Sequence, residues 1–226
     1  MEAPPEPPRP PAVADLDLDP ATRLRSPSFL AELWRKAIHL SFLVLPLDLL
    51  FEVLPWPRGR AQWTVLLVLL AVGALALDVL RLQERRVRRL FRDFLGGMLR
   101  EHEELGLLGS TYLLIAALLA VDLFPRPMAA AALGFTVLGD AFAAIVGKAW
   151  GRTPVFRKTL EGGLGGLLAC LVWVAVLAAA GLLPWSVLLV GALAASLAEI
   201  LPIPLDDNLA MTLMAGYAMR LTWGPL

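Results

Sequence analysis

Apolar residues run along this chain in blocks long enough to cross a bilayer, each closed by proline, tryptophan or a cluster of charge. A helix rises ~1.5 Å per residue, so about 20 apolar residues span the hydrocarbon layer. Blocks at 37–54, 62–80, 105–124, 128–147, 161–182, 186–201 and 209–223 predict seven crossings. The last is short, which suits a tilted or half-length helix. Pro55-Trp56-Pro57, Pro125-Arg126-Pro127 and Leu183-Pro184-Trp185 mark turns, with tryptophan at headgroup depth. Ser26 or Ser28 can cap a helix that enters at Phe29. Pro202 and Pro204 break the chain before Asp206-Asp207-Asn208.

The stretch 81–104 differs in kind. Arg81, Arg85, Arg86, Arg88, Arg89, Arg92 and Arg100 interleave with Leu82, Leu90, Phe91, Phe94, Leu95 and Leu99. That spacing predicts an amphipathic helix along the membrane surface, with arginines toward anionic lipid. Residues 1–28 differ again, carrying Pro4, Pro5, Pro7, Pro8, Pro10, Pro11, Pro20 and Pro27. Such a segment cannot bury a core, so a disordered tail is expected at 1–28 and one membrane-embedded catalytic domain at 29–226. No basic stretch followed by an apolar one opens the chain, so the tail does not read as a signal peptide.

Composition supports the membrane assignment, because 58% of the 226 residues are hydrophobic, above the soluble-domain range. The single cysteine, Cys170, permits no intrachain disulfide. A net charge of zero conceals a segregation of sign. With the N-terminus in the cytoplasm, the inside segments hold Arg9, Arg23, Arg25, Arg35 and Lys36, the arginines of 81–100, and Lys148, Arg152, Arg157 and Lys158. The outside segments hold only Arg58, Arg60, Arg126 and Arg220, so the positive-inside rule favours that orientation. The predicted fold class is all-α, a polytopic transmembrane helical bundle in the cytoplasmic (inner) membrane. The same threading brings Arg35, Lys36, His39, Asp78, Asp140, Lys148, Arg152, Lys158, Glu161, Glu199, Asp206, Asp207 and Asn208 to the cytoplasmic face.

Candidate chemistry centres on 139–166. Asp140 lies about seven residues before its helix ends, some 10 Å deep, where a charge costs on the order of 2.5–3.5 kcal/mol unless it binds something. A divalent cation such as Mg²⁺ takes one or two carboxylates together with phosphate oxygens. Gly139, Ala143 and Gly147 recur at every fourth position, and close helix packing is sufficient to explain them. Downstream, Lys158 and Thr159 precede a helix start at Glu161-Gly162-Gly163, where unpaired amides and the helix dipole favour phosphate. Arg35 and His39 share a helical face, with Lys36 beside them. Asp206 and Asp207 offer a second set of oxygen ligands after the proline break.

Taken together, Arg35-Lys36-x-x-His39, Gly139-Asp140-Ala141-x-Ala143-Ala144-x-x-Gly147, Lys158-Thr159-x-Glu161-Gly162 and Leu205-Asp206-Asp207-Asn208 resemble the dolichol kinase and phytol kinase group of membrane polyprenol kinases. That group is itself similar to the CDP-diacylglycerol synthases. The resemblance implies CTP-dependent phosphorylation of a lipid alcohol such as a prenol or polyprenol, with Mg²⁺ as cofactor. The expected metal ligands are Asp140, Asp206 and Asp207. Lys148, Arg152, Lys158, Thr159, Gly162, Gly163, Arg35 and Lys36 are expected at the nucleotide's phosphates, and Glu161, Asp140 and His39 at the reacting hydroxyl. The expected partners are CTP or another nucleoside triphosphate, a lipid alcohol and the bilayer, without nucleic acid; the oligomeric state stays open. A cytidylyltransferase acting on a lipid phosphate, and a transporter or scaffold without catalysis, are the alternatives.

Overall fold

The computed structural model describes residues 27–95 and 106–223. They form nine helices and one small hairpin. In chain order these are α1 (Pro27–Ser41), α2 (Val44–Phe51), α3 (Gly59–Gln83), α4 (Arg85–Leu95), α5 (Gly109–Leu123), α6 (Arg126–Trp150), β1 (Pro154–Val155), β2 (Lys158–Thr159), α7 (Leu160–Ala179), α8 (Trp185–Ile200) and α9 (Asp207–Trp223). The all-α expectation holds for the described residues apart from that hairpin. Three helices, α3, α6 and α7, are long and apolar enough to cross a membrane, and α5 and α8 are shorter apolar helices. The expected Pro-rich tail lies outside the described residues except Pro27 and Ser28, which already belong to α1.

The expected first crossing at 37–54 is not one helix. Pro46 lacks the N–H that would bond the Phe42 carbonyl, and its ring crowds that turn. The chain tightens instead through Phe42 N to His39 O (3.1 Å), Leu43 N to Leu40 O (3.0 Å) and Leu45 N to Phe42 O (3.0 Å). Two helices result, α1 ending at Ser41 and α2 beginning at Val44.

At the centre stands α6, which packs against α1, α2, α5, α7, α8 and α9. Its sequence explains this position, since Ala129 to Ala132, Gly134, Gly139, Ala141 and Ala143 leave room for neighbours on several sides. By contrast α3 is peripheral, exposing Val65, Leu69, Val72, Leu77 and Leu80. Without a bilayer that apolar surface has no partner, so α3 reads as lipid-facing.

The tightest seam joins α6 to α7. A Cβ added at Gly162 would lie 2.8 Å from the Ala143 carbonyl oxygen, and one at Gly166 would lie 2.8 Å from the Gly139 carbonyl oxygen. The small residues at Gly139, Ala143 and Gly147 therefore seat α7 directly on the α6 backbone, as helix packing alone predicts.

Arg81 departs from expectation. It ends α3 rather than opening the surface helix, and it is buried together with Asp78. Arg81 Nη2 donates to Asp78 Oδ1 (3.1 Å) and to the Gly106 carbonyl (2.6 Å). Asp78 Oδ2 accepts from Leu108 N (2.9 Å) and the Thr111 hydroxyl (2.7 Å), fastening the start of α5 to α3. The surface helix itself spans Arg85–Leu95; residues 96–104 of the expected stretch lie outside the described residues.

Candidate functional site

Three helices deliver one carboxylate each to a common point. Asp140 comes from α6, Glu199 from the end of α8 and Asp207 from the first turn of α9, and an oxygen of each lies within 4.8 Å of the others. Asp140 and Glu199 are buried and Asp207 is partly so. Carboxylates this close repel strongly, so cations must accompany them.

Two lysines do. Lys36 of α1, itself fully buried, is ion-paired with Asp140 Oδ2. Lys158, carried on β2, lies 2.8 Å from Glu199 Oε1 and 3.0 Å from Asp207 Oδ2. Burial pulls the Lys158 ammonium down, but Glu199 and Asp207 more than offset that and hold it above the ordinary lysine value. Three carboxyl groups thus face two ammoniums. Glu199 Oε2 is buried with no hydrogen-bond partner among the described residues, and so is Nε2 of His39, which sits 3.5 Å from Asp140 Oδ2.

An orphaned carboxylate oxygen beside two further carboxylates is a donor set that fits a hard divalent cation. The expected ligand Asp206 is not in it. Its Oδ1 accepts from Asn208 N (2.9 Å) and Asn208 Nδ2 (3.0 Å), so Asp206 caps α9. Burial raises its carboxyl above the usual range, with the Asn208 bonds opposing. Glu199 takes its place in the cluster. The sequence signal for it was a lone carboxylate near the end of an apolar helix, just before Pro202.

The expected phosphate cradle at the start of α7 is already filled by the protein. Leu160 N donates to the Thr153 carbonyl (2.9 Å), and Gly162 N to the Thr159 hydroxyl (3.2 Å). Thr159 is thus an N-cap, and Gly162 serves the α6 seam. At Gly163 a Cβ would fall 2.5 Å from Ile200 Cδ1, so that glycine admits α8.

Glu161 is likewise occupied. Its carboxylate accepts from Arg152 N (3.0 Å), Thr153 N (3.1 Å) and the Thr153 hydroxyl (3.0 Å), locking the loop that carries the hairpin. Its expected place is at the reacting hydroxyl; in the structure its carboxylate is engaged instead by the loop that precedes β1. Glu161→Ala is expected to speed amide hydrogen exchange at Arg152 and Thr153 markedly while leaving α6 and α8 protected, as mass spectrometry would read. The Arg152 side chain is exposed. Glu32 of α1 pairs with Arg35 and lies 3.8 Å from Lys148 Nζ, so these two cations meet at α1 rather than in the cluster.

No family model, curated protein or solved structure matches this chain.

Proposed function

We propose that the chain is a lipid-alcohol kinase, which moves the γ-phosphoryl group of a nucleoside triphosphate, CTP by the sequence resemblance, to the hydroxyl of a membrane prenol or polyprenol. The observation that carries this is the convergence of Asp140, Glu199 and Asp207 with Lys36 and Lys158 at one end of an apolar bundle. Phosphoryl transfer asks a protein for position and charge neutralisation more than for covalent chemistry. Asp140, Glu199 and Asp207 would hold Mg²⁺, which when bound supplies positive charge to the phosphate oxygens.

Lys158 and Lys36 bring their own positive charge to the same place. The alcohol oxygen forms a bond to the γ-phosphorus as the bridging bond to the β-phosphate breaks, releasing a nucleoside diphosphate. The hydroxyl proton goes to Nε2 of His39, which has no hydrogen-bond partner among the described residues, with Asp140 beside it to stabilise the imidazolium. The lipid tail stays against the exposed apolar helices. In the proposed topology the N-terminus is cytoplasmic, α1 and α2 stand for the first of seven crossings, and the cluster faces the cytoplasm.

The deciding experiment incubates the protein in nanodiscs with γ-labelled or α-labelled CTP and a panel of lipid alcohols and lipid phosphates. Transfer of γ label alone to an alcohol supports the kinase. Transfer of α label to a lipid phosphate replaces it with a cytidylyltransferase, and no transfer by a folded sample rejects both enzymes. Lys158→Met keeps most of the apolar stem and deletes the charge. It is expected to raise the KM for nucleotide, lower kcat, or both, with the KM for the lipid alcohol nearly unchanged. A change confined to the lipid KM would move Lys158 to the lipid entrance.

A further inference from the structure

The helix α4 carries a feature the proposed reaction does not use. At ~100° per residue, Val87, Leu90 and Phe91 fall on one half of its circumference and Arg85, Arg86, Arg88 and Arg89 on the other. The arginines are not equivalent. Arg88 donates to the carbonyls of Arg81 and Leu82, closing the end of α3. Arg81, below it, is spent on Asp78 and Gly106, and its guanidinium lies 5.8 Å from the Phe91 ring centroid. These two arginines fix α4 to the bundle. Arg85, Arg86 and Arg89 are exposed, and among the described residues their side chains make one hydrogen bond, from Arg89 Nε to the Arg85 carbonyl at 3.5 Å.

What those three face follows from where α4 begins. Only Glu84 separates it from α3, whose outer surface is apolar and lipid-facing. The helix therefore starts at the membrane boundary, and the Arg88 bonds to the Arg81 and Leu82 carbonyls tie it to that end of α3. Leu90, exposed at 57%, gives its apolar half a side chain to insert at that boundary. A soluble polyanion would satisfy the arginines but not Leu90; an anionic lipid surface satisfies both. We infer that Arg85, Arg86 and Arg89 form a docking face for anionic phospholipid headgroups, held in place by Arg81 and Arg88.

Each arginine near an anionic leaflet multiplies association by roughly fivefold, and the effect fades with salt. The test places a fluorophore on α4 through Asp93→Cys in a Cys170→Ala background, with the full chain in phosphatidylcholine nanodiscs. Spin-labelled phosphatidylglycerol or spin-labelled phosphatidylcholine is then titrated in as quencher. The glycerol lipid is expected to reach half-quenching at about a tenfold lower mole fraction, a preference lost at high salt. Replacing Arg85, Arg86 and Arg89 together by Gln should abolish the preference, and replacing them by Lys should keep most of it. Equal quenching by the two lipids, or a preference that survives the Gln triple, overturns the inference. So does capture of heparin in detergent without any lipid preference, which would assign the face to a soluble polyanion.

Discussion

Asp140→Asn is expected to slow the proposed phosphoryl transfer by at least about a hundredfold, as for the loss of an electrostatic partner worth ~3 kcal/mol in the transition state. The substitution also touches the fold, because Lys36 is fully buried and paired with this carboxylate. Breaking a buried ion pair on one side costs on the order of 3–5 kcal/mol, so the single variant should melt at a lower temperature. Adding Lys36→Met removes the buried ammonium as well and should restore part of the lost stability. It should not restore transfer. Comparing melting curves and turnover for the single and double variants separates the two roles. Near-normal turnover by Asp140→Asn, or recovery of turnover in the double variant, would make Asp140 a structural residue only.

Gly166→Leu is expected to have the largest effect on the fold itself. The new Cβ would meet the Gly139 carbonyl at 2.8 Å and the Ala143 methyl at 3.0 Å, and a helix backbone cannot yield as a flexible side chain does. Overpacking of this kind costs at least about 3 kcal/mol when backbone is the obstacle. Since α6 supports six other helices, forcing α7 off it should abolish a monodisperse peak in size-exclusion chromatography. Gly73→Leu, on the outer surface of α3 with nothing within 4 Å, is the matched control and should leave the peak intact. Equal behaviour of the two variants would mean that the seam is not what holds α7.

The same seam shows what could be learned from the sequence and what could not. Hydrophobic block lengths placed most helices to within a few residues, because burial in lipid or protein demands the same apolar run. They failed at Pro46, where composition stayed apolar while the backbone lost a donor. Asp140 was legible because a carboxylate deep in an apolar block has few other reasons to exist. Glu161, Thr159 and the glycines looked like ligand groups because caps and close seams use the same residue types as phosphate sites. Only the three-dimensional arrangement shows Thr159 capping α7 and Glu161 gripping Arg152 and Thr153. Glu199 stands in the cluster in the place expected for Asp206 for a related reason: Asp206 lies two residues before Asn208 and caps α9, whereas Glu199 meets Asp140 only through packing of α8 on α6.

Lys158, lodged between Glu199 and Asp207, is in effect an internal counter-ion occupying the seat an incoming cation would want. A divalent cation taking that seat would displace the ammonium, so the chain would give up affinity for the bare ion in return for partial neutralisation of its carboxylates. The exchange has a measurable side. Lys158→Met should bind Mn²⁺ more tightly than the parent when no nucleotide is present, and more weakly relative to the parent once triphosphate is added. In the proposed reaction a resident lysine of this kind would make metal and nucleotide arrive as a pair, since the phosphates would offer the displaced ammonium somewhere to go.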